Sequence, residues 1–160
     1  DYDKNGELSS KGKLIFKLLE EWKDKKFLKI PIPISFDNAF FKLEEFIQEN
    51  NANRFDLLRT LTYFSAYLIF HLKSKIKCNV DKWVFSGGGV KNKTLMLDIK
   101  NLLGVESIYT TREYNLNPFF IEAQAFAYIS VRTLKKLPSS YPKTTGCLKS
   151  SISGSIFYPN

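Results

Sequence analysis

Histidine occurs once, as His71, and cysteine twice, as Cys78 and Cys147, in 160 residues. A zinc site draws on several such ligands at short spacing, and a disulfide framework on several regularly spaced cysteines. Neither is supported, no metal site is assigned, and a reducing cytoplasmic compartment is the simplest expectation. A lone histidine has no visible orienting partner, so His71 reads as the polar tip of an apolar helix rather than as an acid–base group. Long apolar runs are also missing. No stretch approaches the roughly 20 residues needed to cross a bilayer, and the sequence opens on Asp1 without a basic and apolar leader, which predicts a soluble chain with no membrane partner. Arginine is scarce: Arg54, Arg59, Arg112 and Arg132 are the only ones among 24 basic residues. Base readout and bidentate phosphate contacts favour arginine. The lysines, moreover, are scattered from Lys4 to Lys149 rather than clustered, so the net charge of +8 does not argue for a nucleic-acid partner.

What remains is ample for a core. Apolar residues make up 44% and aromatics 15% of the chain, and a chain of this length buries about two-thirds of its unfolded surface, so one globular domain is expected. Apolar residues at Leu14, Ile15, Leu18, Leu19 and Trp22 follow Ser9-Ser10, predicting a first helix with serine as N-cap. The alternation Ile30-Pro31-Ile32-Pro33-Ile34 runs extended, because each proline removes a donor and biases its predecessor. Helical spacing resumes at Phe40, Phe41, Leu43, Phe46 and Ile47, and again from Arg54 to about Lys75 through Leu57, Leu58, Leu61, Phe64, Leu68, Ile69 and Leu72.

The second half changes character. Lys82-Trp83-Val84-Phe85-Ser86 reads as a strand ending in three glycines, and Leu95, Met96, Ile99, Leu102 and Leu103 restore helical spacing until Gly104. Ile108-Tyr109-Thr110 reads as a further strand. Asn117-Pro118 suits the cap and first position of a helix through Ile121, Ala125, Tyr128, Ile129 and Leu134 that ends before Pro138. A last strand is expected around Ser155-Ile156-Phe157.

Ser86-Gly87-Gly88-Gly89-Val90-Lys91-Asn92 is the most informative segment. Consecutive glycines between a strand and a helix let backbone approach a flat or charged ligand and leave turn amides free to bind it, which suits a nucleotide. A tight turn with no ligand fits the same residues. The segment satisfies neither GxxxxGK[ST] nor GxGxxG. At the other end, Asp1-Tyr2-Asp3-Lys4-Asn5-Gly6 imitates a calcium loop, but position 12 is Gly12 where a bidentate glutamate is required.

The run WVFSGGGVKNKTLMLDIKNLL resembles the anhydro-N-acetylmuramic acid kinases, in which a strand ends in GGGxxN and a helix with a Leu-Met pair follows. Further similarities keep the family's order: Asp3 to Gly6 with Gly12 resembles a DxxGxxAxxG element, Leu61-Thr62 with Ser65-Ala66 an LTxxTA helix, Ile121 to Ala127 an EAxAFA helix, and Leu137-Pro138 with Pro142 to Gly146 an LP…P.TTG ending. The resemblance implies an α/β fold, specifically a partial second lobe of an actin-like ATPase (sugar kinase) fold, over a single partial domain 1–160. In that reading residues 1–77 are mainly helical and 78–160 mixed, with a helix-rich first half and a strand-turn-helix second half. It further implies an ATP-dependent kinase, using Mg, that converts 1,6-anhydro-N-acetylmuramic acid to N-acetylmuramic acid 6-phosphate.

By the same resemblance Gly87, Gly88, Gly89 and Asn92 lie against the adenosine of ATP. Glu122 either binds hydroxyls of the amino sugar or is a structural carboxylate at its helix N-terminus. The family's GTSxDG and NIGG-type phosphate loops, and the DTGPGN segment with the catalytic base, do not occur in this sequence, so no catalytic residue is assigned. A chain of this kind is expected to be inactive alone, and its partner to be an N-terminal kinase half or another copy. Departures from the family pattern fall on polar loop positions: Ile34 and Asn38 where lysine and arginine are usual, Asn115 for glycine, and Phe119 for aspartate. A remnant or interaction module of the same fold, without catalysis, is the alternative these departures leave open.

Overall fold

A computed structural model describes residues 2–32, 52–104 and 107–158. The helix expected over 40–47 and the departures at Ile34 and Asn38 lie outside them.

The chain opens with two 3-10 turns, Lys4–Gly6 and Ser9–Lys11, before helix α1, Phe16–Lys23. The expected serine cap is corrected. Ser9 is fully buried; its amide donates to the Asp3 carboxylate at 3.3 Å and its hydroxyl to the Gly6 carbonyl at 3.1 Å. With its hydrogen bonds committed to the opening turn, Ser9 cannot start a helix, and Leu14 and Ile15 precede α1 rather than lie in it.

Helix α2 spans Arg54–Lys75, the expected range, with the Asn53 side chain accepting from the Phe55 amide at 2.8 Å as N-cap. Its apolar residues do not form a single stripe. One side packs Phe64 with Leu18, Leu19 and Trp22 of α1, Trp22 meeting Phe64 edge-on at 5.5 Å between ring centroids. The other side carries Ala66 against Ile99 and Leu103, with Trp83, Phe85 and Ile108 around them. Thr60 and Thr62 are buried between these clusters and donate back to the carbonyls of Asp56 and Leu58 at 2.7 and 2.8 Å, which removes the cost of burying their hydroxyls.

Strands β1, Trp83–Phe85, and β2, Ile108–Thr110, pair in parallel with Val84 opposite Tyr109. The crossover between them is helix α3, Lys93–Leu103, closed by Gly104 in the left-handed conformation. β2 is the single strand neighbour of β1 among the described residues, and Val84 stays 45% exposed. A second parallel neighbour needs a second crossover, and no other described segment supplies one.

Helix α4, Ile121–Leu134, begins later than Asn117-Pro118 suggested. Asn117 instead accepts from the Phe119 amide at 3.0 Å, and the Pro118 carbonyl takes the Gly87 amide at 2.7 Å. A short helix α5, Pro142–Thr145, follows. The strand expected at Ser155 to Phe157 does not form. Antiparallel pairing in the tail is limited, among the described residues, to a bridge between Ser140 and Ser151, and Phe157 is largely exposed with no strand beside it.

Candidate functional site

The carboxyl ends of β1 and β2 point the same way, and the glycine turn leaves the sheet there. Gly87 has φ 83° and ψ −177°, a region open to glycine and closed to other residues, so the first glycine is required by the backbone path. Gly88 to Lys91 form a 3-10 turn, and Asn92 caps α3 by accepting from the Leu95 amide at 2.9 Å. A Cβ built on Gly87 or on Gly88 would meet nothing within 4 Å, and one on Gly89 only the Leu95 Cδ2 at 3.7 Å. Among the described residues, that face of the turn is therefore uncovered. Among the described residues the amides of Gly88 and Gly89 have no backbone acceptor, whereas those of Gly87, Val90 and Asn92 do.

Asn92 faces the opposite way. Its carbonyl oxygen caps α3 and lies against Gly6 of the opening turn. The Thr94 hydroxyl beside it donates to the Gly6 carbonyl at 2.8 Å. The opening DKNG turn is thus docked on the N-terminus of α3. Burial pushes the Asp3 carboxyl up, but the nearby Ser9 hydroxyl, the Leu8 and Ser9 amides that donate to it and the neighbouring Asn92 amide outweigh burial and hold it below its ordinary value.

The second wall of the turn is the segment before α4. Besides the Gly87–Pro118 bond, the Lys91 Nζ lies 4.0 Å from the centroid of the Phe119 ring. Glu122 sits in the first turn of α4, exposed, with no hydrogen bond or ion pair among the described residues. Gly87, Gly88, Gly89 and Asn92 therefore share one turn, and Glu122 stands on the helix that follows its second wall.

One pair escaped the sequence reading. Arg59 of α2 grips Asp98 of α3 through both guanidinium nitrogens, at 2.6 and 2.8 Å, with only 17% and 6% of the side chains exposed. The available signal was Asp98 itself, an acid inside the apolar run Leu95, Met96, Leu97, Ile99, Leu102. His71 is held by its Nε2 at 2.9 Å from the Leu28 carbonyl, tying the end of α2 to the 3-10 turn at Lys26–Lys29. Both cysteines are free thiols. No group of three His, Cys, Asp or Glu side chains is gathered as metal ligands, and no helix is long and apolar enough to cross a membrane, among the described residues.

The described elements make a helix-rich α/β structure with a small parallel sheet, consistent with part of a kinase domain. The family model for anhydro-N-acetylmuramic acid kinase matches residues 1–159, and the chain belongs to that family. It is 33% identical over 160 aligned positions to the anhydro-N-acetylmuramic acid kinase of Neisseria meningitidis serogroup C, covering 98% of this chain and 44% of the relative. The protein of the same name from Actinobacillus pleuropneumoniae serotype 7 is 35% identical, covering 99% of this chain and 44% of its own length, and that of Pasteurella multocida 34% identical, covering 99% and 43%. The chain spans less than half the length of these curated relatives.

Proposed function

We propose that this chain is the nucleotide-contacting C-terminal portion of an ATP-dependent kinase that converts 1,6-anhydro-N-acetylmuramic acid to N-acetylmuramic acid 6-phosphate, and that it is inactive alone. The observation that carries the reading is the uncovered glycine face at the carboxyl ends of two parallel strands, the place where open α/β sheets receive ligands. Gly87, Gly88 and Gly89 would lie against the adenosine, with the free amides of Gly88 and Gly89 available to its polar edge. Asn92 would support the turn from behind rather than touch the nucleotide, because its carbonyl oxygen caps α3 and lies against Gly6. Glu122, exposed and unpaired among the described residues, is placed to accept from sugar hydroxyls.

Phosphoryl transfer depends on positioning and on neutralising phosphate charge. Bound Mg would supply part of that neutralisation; no carboxylate cluster among the described residues would hold it, so it would arrive with the phosphates. The partner that completes the centre would be an N-terminal half bearing the phosphate loops and the base, the part of a relative that has no counterpart here. Two features support such a partner: among the described residues no strand pairs with the second edge of β1, and α4 buries none of its side chains while exposing Phe126, Tyr128, Val131 and Leu134.

Phosphorylation of the anhydro sugar is measured with the chain alone, with the N-terminal half of a relative alone, and with both. Turnover only in the mixture is expected. Turnover by the chain alone overturns the reading, and a mixture without turnover but with ATP bound favours a non-catalytic remnant.

A further inference from the structure

Phe119 departs from the aspartate usual at its position, and the structure shows what the ring does instead. Its face holds the ammonium of Lys91, the last residue of the glycine turn, at 4.0 Å. Its neighbour Pro118 holds the first residue, accepting from the Gly87 amide at 2.7 Å, and Asn117 fixes both by accepting from the Phe119 amide at 3.0 Å. Two consecutive residues thus grip the two ends of the turn, and the backbone of Gly88 and Gly89 between them stays uncovered. Glycine has more backbone freedom to lose than any other residue, so an unbraced run of three would have to be ordered by its ligand at the expense of affinity. A braced run is ordered before the ligand arrives.

We propose that Phe119 is a positioning residue, which through Lys91 holds the Gly88–Gly89 backbone in the conformation that receives the nucleotide; this rests on the nucleotide reading of the turn. The interaction requires a ring face and a cation, not apolar bulk. Phe119→Tyr should therefore preserve it, Phe119→Leu should lose it while still filling space, and Lys91→Met should lose it from the other side.

The test uses the intact 160-residue chain. Amide hydrogen exchange over residues 87–92 is followed without nucleotide, and affinity for a fluorescent ATP analogue is measured in parallel. Phe119→Leu and Lys91→Met are each expected to speed exchange in the turn and to weaken the analogue by about three- to tenfold. Phe119→Tyr should match the parent in both, and the double variant should be no worse than either single one. Unchanged exchange in Phe119→Leu, or an equal loss in Phe119→Tyr, overturns the brace. If the parent binds no analogue while exchange still follows the ring, the brace exists but its role for a nucleotide is refuted.

Discussion

The Asn92 Oδ1 stands 2.2 Å from where a Cβ on Gly6 would lie, so the amide that caps α3 occupies the space the glycine leaves. The two residues lie far apart in sequence, and their contact docks the opening turn on the helix that follows the candidate site. Gly6 also has φ 79°, so alanine there meets both backbone strain and a clash with Asn92 and with the Thr94 amide at 2.9 Å. Gly6→Ala is expected to cost about 2–4 kcal/mol of stability, read from urea denaturation. A Cβ on Gly12 would come within 2.0 Å of the Phe55 carbonyl oxygen, so Gly12→Ala should destabilise comparably.

Acid should loosen the same region. The Asp3 carboxyl is held below its ordinary value of 3.8, so the folded chain favours its charged form more than the unfolded chain does. Its contribution is present above pH 3.8 and disappears as pH falls through the lower folded value. Asp3→Asn is therefore expected to be less stable than the parent near neutrality, and the difference between the two should narrow below about pH 4 in denaturation midpoints taken across pH.

The Arg59–Asp98 pair joins α2 to α3 in a nearly buried setting. Removing one partner leaves the other charge buried and unmatched. Arg59→Met alone or Asp98→Leu alone should cost about 3–5 kcal/mol, whereas the double replacement should recover much of that loss. A double-mutant cycle in urea checks it; additive losses would contradict the pairing.

Association should be the default of the isolated chain. Among the described residues β1 has an open edge and α4 an uncovered apolar face, and both invite further contacts. Light scattering is expected to find oligomers or aggregates at micromolar concentration, reduced when the N-terminal half of a related kinase is coexpressed. A stable monomer would contradict it.

The span of α2, the α3 helix ending at Gly104 and the position of β2 were legible because periodicity and caps act within a few residues. Two helix starts were not: Ser9 is claimed by Asp3 and Gly6 of the opening turn, a local alternative to capping, and Pro118 by the distant Gly87. Nor could spacing show that α2 buries two sides, since that depends on α1 and α3 both packing against it. At the candidate site, the glycine turn announced itself by composition. Its brace did not, because nothing in the order of residues links Lys91 to Phe119.

The central claim is that the glycine turn receives a nucleotide, and Gly88 offers the most direct measurement. A Cβ there meets no atom of the described residues within 4 Å, so Gly88→Val should leave the denaturation midpoint nearly unchanged while placing branched carbons on the face the ligand needs. ATP affinity is measured by calorimetry for the parent and for Gly88→Val, each assembled with the N-terminal half of a relative. The account predicts at least about a tenfold weaker Kd in the variant, about 1.4 kcal/mol, at equal stability. Equal affinity in two equally stable assemblies would contradict it.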